Sequence, residues 1–547
     1  MNSLIPTLAV AAACLMPWGS ATAKALAKPH SVAEAAPLAK PAPLETAKAE
    51  VADTLLIPSV DARVSCSDTR FERPLSDVLN DLAARFHIRY KLQQVDTAGL
   101  MLPYADSRIR PYSVEESLRG VLSYFDFQYE KQGKNTYKLR HYDYPRRSDD
   151  EGEQLLNYLA TLYTDSVTFD ARRRLLLREF RRRVGFDALL TRTVMRRDDL
   201  SASPLRAGQE RRHRGYRTQN FAIETLPGLY CSGTVYLPAG AAALTTQLAP
   251  KAAASTTAKN TRQAANAPQQ PAPQSRYKGK RYPLIICPNG HFADGRYNPD
   301  LQRRMATLAR MGAIVVGYDL FGWGESEWQV GHEQHERALA QPMQLLNGWL
   351  IFDLMMQRRD IDTTRVAVNG GSGGGTHCVM LTLIDPRFTA ACPVVSFCAH
   401  FDGGCPCESG MGTALCGGGT CNAEYAALFA PRPLGFVSDG GDWTRTVPTQ
   451  ELPYLQRIYG FYGAADRLYH YHYPDERHDF GPNKRAAVYD FFTRVFGLDS
   501  TQVDEDKVTV ESSSALQFWG SADRMPAHAI RSWQQLCDSL NSKQTKP

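Results

Sequence analysis

No stretch of this 547-residue chain stays apolar for the roughly 18 residues that a membrane-spanning helix needs, which excludes a multi-span membrane protein. Charge of one sign is also scarce, with 63 Lys and Arg against 57 Asp and Glu and a formal net charge of +6. So small a surplus does not build the concentrated basic face that phosphate binding requires, and nucleic acid is excluded as a partner. Packing material, by contrast, is plentiful: 43% of the residues are hydrophobic and 10% aromatic, ample for buried cores.

Lys and Arg are absent from residues 1–23, so only the amino terminus supplies the positive charge of a leader. The rest of that segment fits one. Leu4 to Met16 is apolar but too short to span a bilayer, and Ala21-Thr22-Ala23 is a small-x-small cleavage pattern. It reads as a secretory signal peptide over 1–23, followed by a flexible linker rich in Ala, Pro, Lys and Glu over 24–60. A second biased stretch, 239–278, lies between strand-like runs and is expected to be a disordered insertion, because it carries too little apolar surface to order itself.

Cleavage after Ala23 removes Cys14 from a total of 12 cysteines, which leaves an odd number and at least one thiol without an internal partner. Four of them, Cys405, Cys407, Cys416 and Cys421, crowd into CPCESGMGTALCGGGTC. Their spacing, C-x-C, then eight residues, C, then four, C, is not the paired C-x2-C of a zinc ribbon, so loop disulfides rather than metal are expected in an exported chain.

Residues 61–145 alternate short helical and strand patterns. Leu75, Val78, Leu79, Leu82, Ala83 and Phe86 share one helical face, with Ser76-Asp77 at the helix start and a strand over Ile88 to Leu92. Ser113-Val114-Glu115-Glu116 then forms a capping-box pattern, and Phe127 to Tyr129 and Tyr137 to Leu139 read as a hairpin across Gly133. The runs RPLSDVLNDLAARFHIRYKL and SVEESLRGVLSYFDFQYEKQGKNTYKLR make this α+β segment resemble the short N-terminal (STN) domain of secretins and TonB-dependent receptors. That resemblance implies the periplasm of a Gram-negative cell, with outer-membrane association and an envelope protein as a partner. Beyond it, Asp149 to Leu190 is helical, with Leu176, Phe180 and Val184 on one face. Its arginines, Arg172 to Arg174, Arg178 and Arg181 to Arg183, are expected to be a solvated face, the alternative being a grip on an acidic polysaccharide.

The chemistry concentrates in RVAVNGGSGGGTHCVMLTLI. Arg365 to Asn369 is a short strand, Gly370 to Gly374 matches G-x-S-x-G, and Thr376 to Ile384 continues as a helix. A serine on such a turn needs small neighbours, and the helix that follows aims its N-terminus at developing negative charge. The partners of a serine nucleophile follow in order. Asp442 lies in the loop after the strand Pro433 to Ser438, and His478 lies in the loop after the strand Leu468 to Tyr473. In that arrangement Ser372 attacks an ester, His478 takes its proton and Asp442 orients the imidazole. Asp439 in the same loop and Asp466 before the last strand stand as alternatives for the acid, whereas His470 and His472 lie within a strand.

Upstream, Tyr282 to Cys287 is a buried strand that ends in Pro288-Asn289-Gly290-His291-Phe292. This is the place for a second oxyanion donor, the backbone N–H of His291 or Phe292, beside the N–H of Gly373. Another strand covers Ala313 to Tyr318, and Asp300 to Met311 and Leu345 to Gln357 read as helices, so the sheet is expected to be mainly parallel and covered on both faces.

The motifs YPLIICPNGHFADG, DLFGWGES, NGGSGGG, LFAPRPLGFVSDGGDWT and HDFG resemble the acetyl xylan esterase and dienelactone hydrolase branch of the α/β-hydrolases. The resemblance implies an α/β-hydrolase esterase domain over 150–500 and leaves 501–547 as a C-terminal extension. It also implies a serine esterase without cofactor or metal that removes acetyl groups from a polysaccharide or oligosaccharide such as xylan or pectin. Asn289 departs from the histidine that relatives commonly carry there. The alternative substrate is a uronic acid methyl ester, whose carboxylate neighbours need a cation; Arg296, Arg303 and Arg445 are the candidates. The alternative of another class is an envelope binding or signalling protein built on the N-terminal module.

Overall fold

The computed structural model describes residues 72–541, apart from 93–94, 96, 126, 142–146, 194–204, 245–277 and 293. The leader, the linker, the first residues of the 61–145 segment and most of the 239–278 insertion therefore lie outside the described residues. No helix among the described residues is long and apolar enough to cross a membrane.

The N-terminal part contains the strands β1 (Arg73–Pro74), β2 (Arg89–Lys91), β3 (Met101–Leu102), β4 (Phe127–Lys131) and β5 (Thr136–His141). β4 and β5 form the expected antiparallel hairpin, and β2 joins β5 in parallel. The helices Leu75–Phe86 and Val114–Leu122 bury Leu75, Val78, Leu79 and Leu82, and Leu118, Val121 and Leu122, in one apolar cluster. Ser113 caps the second helix, its side chain accepting from Glu116 N–H. The first helix begins one residue before the expected Ser76, with Pro74 at its cap position and no side-chain cap.

The expected single helical region splits into Asp149–Thr161, Ser166–Arg183 and Phe186–Arg192. Two capping boxes set the first two starts, Ser148 with Glu151 and Asp165 with Thr168. The arginine run is not simply a solvated face. Arg174, Arg178 and Arg182 are exposed, but Arg172 is buried, paired with Glu424 and bonded to the carbonyls of Gly417 and Gly419. Arg173 and Arg181 likewise donate to the carbonyls of Ala430 and Ile384. A charge pattern along one helix carries no record of carboxylates and carbonyls more than 200 residues away.

Nine further strands make one sheet: β6 (Leu205–His213), β7 (Tyr216–Leu226), β8 (Leu229–Pro238), β9 (Tyr282–Pro288), β10 (Ile314–Tyr318), β11 (Ile361–Gly371), β12 (Ala390–Val394), β13 (Leu434–Asp439) and β14 (Leu468–Tyr473). Their order is β14-β13-β12-β11-β9-β10-β8-β7-β6. β14 through β10 run parallel, whereas β8, β7 and β6 are antiparallel at one edge. Alternate residues of the central strands enter different cores. Leu284 and Ile286 pack with the helices Ala340–Met355 and Gly373–Ile384, and Ile285 and Cys287 pack with Pro299–Arg310 and Pro482–Phe496. A strand buried on both faces reads as a continuous apolar run, as YPLIIC does.

Residues 501–541 are woven into this body rather than hung on it as an extension. Glu511 pairs with Arg211, buried Glu325 accepts the N–H groups of Phe518, Trp519 and Gly520, and Leu516 and Trp519 are buried. The segment packs against the antiparallel strands, where Asn220 on β7 donates to the carbonyls of Ala515 and Gln517. Residues 239–244 are also anchored, with Arg217 and Arg358 bonded to the carbonyls of Ala241 to Leu244.

Candidate active site

β11 ends at Gly371, and the helix Gly373–Ile384 starts two residues later, so Ser372 is the turn between them. Its backbone sits at φ 56°, in the left-handed region that a non-glycine residue enters at a cost of order 1–3 kcal/mol. The surroundings hold it there: Ser372 N–H donates to Val394 O at 2.9 Å, and its own carbonyl accepts from Gly375 and Thr376. The neighbouring glycines are required by space, since a Cβ on Gly375 would lie 2.5 Å from Ser396 Cβ and one on Gly374 would lie 2.7 Å from the Asn289 carbonyl carbon.

His478 reaches this serine from the loop after β14, its Nε2 2.9 Å from Ser372 Oγ. Nδ1 of the same ring lies 2.6 Å from Asp442 Oδ2. The other carboxylate oxygen accepts from Thr444 N–H at 2.6 Å and Thr444 Oγ1 at 2.5 Å, because Asp442 caps the short turn Trp443–Thr446. Burial raises the Asp442 pKa, yet the bonds from His478 and Thr444 outweigh it and hold the carboxyl below its ordinary range. The imidazole is flanked by Trp443, with ring centroids 4.4 Å apart, and by Phe292, stacked at 6.3 Å. A carboxylate, an imidazole and a hydroxyl linked in this order can deprotonate the hydroxyl while it attacks a carbonyl.

The rival acids are placed elsewhere. Asp439 is fully buried against Lys484 Nζ at 2.9 Å, its pKa pushed up to about 6 by burial despite that ammonium group. Asp466 is exposed on the turn Ala465–Arg467. His470 and His472 on β14 both bond Ser438 Oγ on the adjacent strand β13 at 2.8 Å, away from Ser372.

The loop Gly290–Phe292 runs beside the elbow, so close that a Cβ on Gly290 would meet Gly371 O and lie 3.1 Å from Ser372 Cβ. Buried Asn289 fixes the loop's root by donating to Tyr318 O at 2.7 Å, the work of a spacer rather than an oxyanion donor. Gly373 is the first residue of its helix, where an N–H has no intrahelical acceptor. The side chain of His291 turns away from solvent to meet His335 and Cys407, at 2.8 and 3.3 Å.

That contact corrects the disulfide expectation: Cys405, Cys407, Cys416 and Cys421 are all free and buried. Cys416 packs by Tyr425 under the arginine helix, whereas Cys405 and Cys407 face the two histidines. Sequence proximity grouped the four cysteines, and the fold divides them. Sequence reasoning missed His335, Trp443 and Glu408; the last accepts a bond from Thr376 Oγ1 at 2.8 Å, and its pKa is raised by full burial. Only the tryptophan beside Asp442 in DGGDWT carried a local signal.

Of the three candidate cations, Arg296 is buried between Asp319 and Glu325, and Arg303 pairs with Asp300 on its own helix. Arg445 follows Asp442 by three residues, is half exposed, and pairs with Asp149 at 2.7 Å. A cavity of about 290 Å³ is lined by Tyr297, Trp323, Trp328 and His332 among others, and by none of the three hydrogen-bonded residues; Trp323 links it to the His291 ring, 6.0 Å away.

No protein-family model matches the chain, and no curated protein does. Among solved structures it is similar to Methylesterase BT1017, with 51% identity over 88% of this chain and 98% of that one and a TM-score of 0.65. It is also similar to a glucuronoyl esterase from Solibacter usitatus, at 13% identity over 60% of this chain and 93% of that one, TM-score 0.39. An acetyl xylan esterase from Paenibacillus sp. R4 matches at 13% identity over 57% of this chain and 94% of that one, TM-score 0.36.

Proposed function

The chain belongs to the α/β-hydrolase esterase family that includes Methylesterase BT1017, and from that premise we propose that it hydrolyses methyl esters of uronic acid residues in a polysaccharide. The observation that carries this reading over acetyl removal is the 51% identity to a methylesterase across 88% of the chain. The carbohydrate part rests on the resemblance of the elbow, oxyanion and late-loop motifs to carbohydrate esterases.

In this reading Ser372 Oγ attacks the ester carbonyl as its proton passes to His478 Nε2, and Asp442 stabilises the imidazolium. The oxyanion accepts hydrogen bonds from the N–H of Gly373 and of His291 or Phe292. Collapse expels methanol, which takes the proton from His478, and leaves an acyl ester on Ser372. Water, deprotonated by the same imidazole, releases the uronate and regenerates the serine. Arg445 is the cation for a neighbouring free carboxylate, in exchange for Asp149, because it is half exposed and follows Asp442 by three residues, whereas Arg296 is buried between two carboxylates. The aromatic walls at Tyr297, Trp323 and Trp328 suit the apolar faces of sugar rings.

Methanol release from methyl-esterified polygalacturonate and acetate release from acetylated xylan, measured on one preparation, test the reading. Methanol is expected to lead by at least about tenfold in kcat/KM, roughly 1.4 kcal/mol of transition-state preference. Faster acetate release overturns the methyl ester assignment, and turnover of neither polymer overturns the glycan assignment. Export, with the 61–145 segment docking an envelope protein, belongs to the same proposal and rests on the leader pattern and the helix-strand runs. N-terminal sequencing of the mature protein, expected to begin at Lys24, tests the export step.

A further inference from the structure

Beside the elbow, His291, His335, Cys405 and Cys407 bring their ligand atoms within 4.8 Å of one another, three of them buried and His291 partly so. They arrive from three separate places: the loop after β9, the turn His332–Glu336 beyond β10, and the start of the helix Pro406–Ser409. The two cysteines share one segment, and the fold brings both histidines to them from elsewhere in the chain. His335 Nδ1 donates to the Phe321 carbonyl at 2.6 Å, which fixes the tautomer and leaves the Nε2 lone pair facing the cluster. His291 Nε2 lies 2.8 Å from His335 Nε2 and 3.3 Å from Cys407 Sγ. Trp323 shields both imidazoles, 6.0 and 5.8 Å away by ring centroids. Two sulfurs and two imidazole nitrogens, with no carboxylate among them, match a tetrahedral borderline-soft cation and not calcium or magnesium.

We propose that His291, His335, Cys405 and Cys407 form a structural site for zinc(II), and that the bound ion pins the Gly290–Phe292 loop against the Ser372 elbow. Binding releases the thiol protons to solvent and involves no redox step. Four protein ligands leave no open position, so the ion is a clamp and not a Lewis acid for the ester. Its reach to the elbow is direct: His291 Cε1 lies 2.6 Å from where a Cβ on Gly373 would be, so the glycine makes room for the ligand ring. The site goes beyond the methyl ester reading and does not depend on it.

The test uses the full chain purified without chelators. Elemental analysis is expected to find about one zinc per chain, and less than about a tenth of that in the Cys405→Ser/Cys407→Ser variant. Wild type stripped by a strong chelator and reloaded with cobalt(II) is expected to show the visible bands and thiolate charge-transfer bands of tetrahedral cobalt. Zinc added to the stripped protein is expected to raise Tm by roughly 5 °C and to restore aryl ester turnover lost on stripping. Should the cysteine variant fail to fold, the cobalt spectrum of wild type decides. Wild type that holds no zinc and gives no tetrahedral cobalt spectrum, a Cys405–Cys407 disulfide in non-reduced peptides, or zinc retained in the folded variant would each overturn the site. Turnover indifferent to stripping would overturn the pinning of the loop.

Discussion

Replacing Arg172 with alanine separates a structural arginine from a substrate-gripping one. Its guanidinium donates twice to Glu424, at 2.9 Å each, and to the carbonyls of Gly417 and Gly419 at 2.6 and 2.7 Å. Glu424 is fully buried, and the Thr420 hydroxyl at 2.6 Å carries no charge to replace the guanidinium. Removing one partner of a buried pair costs about 3–5 kcal/mol, because the other charge stays desolvated and unpaired. For a folded unit of this size that translates into a Tm lower by roughly 4–8 °C. Lysine is expected to rescue little of it, since a single ammonium cannot reach a carboxylate and two carbonyls in a fork. Arg174→Ala, on the exposed face of the same helix, is the control and is expected to leave Tm within about 1 °C. Calorimetry supplies the Tm values, and KM on a methyl-esterified glycan reports substrate binding. An Arg172→Ala protein with unchanged Tm and a raised KM would show instead that Arg172 grips the polysaccharide.

Three other outcomes are expected. Gly290→Ala puts a methyl group against Gly371 O and Ser372 Cβ, so it is expected to displace the oxyanion loop and lower kcat on an aryl ester about 100-fold; a normal kcat would show that the loop plays no such part. Asp442→Asn leaves the turn in place but offers His478 an amide instead of a carboxylate, so kcat is expected to fall about 10,000-fold, whereas Asp439→Asn is expected to act on stability through Lys484. Glu511 is the acid-sensitive group of the C-terminal segment: burial opposes its ionisation, but His213 and Arg211 hold its pKa at about 2 against an ordinary 4.5. A lowered pKa gives stability that is full above about 4.5 and lost as pH falls toward about 2, about 2 kcal/mol after solvent screening. The stability gap between wild type and Glu511→Gln, read from urea midpoints, is therefore expected to close across that window, and a gap that persists at the acid end contradicts the pairing.

The elbow was legible in the sequence because its constraints are local. A strand, a serine among glycines and an apolar helix follow one another in 20 residues, and Asp442 and His478 arrive in the loops that strand order demands. The central strands were legible for a related reason, burial on both faces having left continuous apolar runs. What stayed hidden was pairing at a distance. Arg172 looks like Arg174 until Glu424 is brought to it, and His335 in GHEQHE shows nothing of His291 or Cys407. The cysteine cluster misled because short spacing implied mutual bonding, whereas Cys405 and Cys407 point toward histidines from other loops. The last 40 or so described residues carry too little periodicity to advertise the antiparallel strands that they pack against.

Ser372, bonded to His478 at 2.9 Å, is the group placed to attack the ester. Wild type and Ser372→Ala, both shown folded by their Tm, should be compared for methanol release from a methyl-esterified uronic acid substrate. The variant is expected to lose at least about 10,000-fold in kcat, with substrate binding retained. Turnover within about tenfold of wild type would mean that another group attacks the ester.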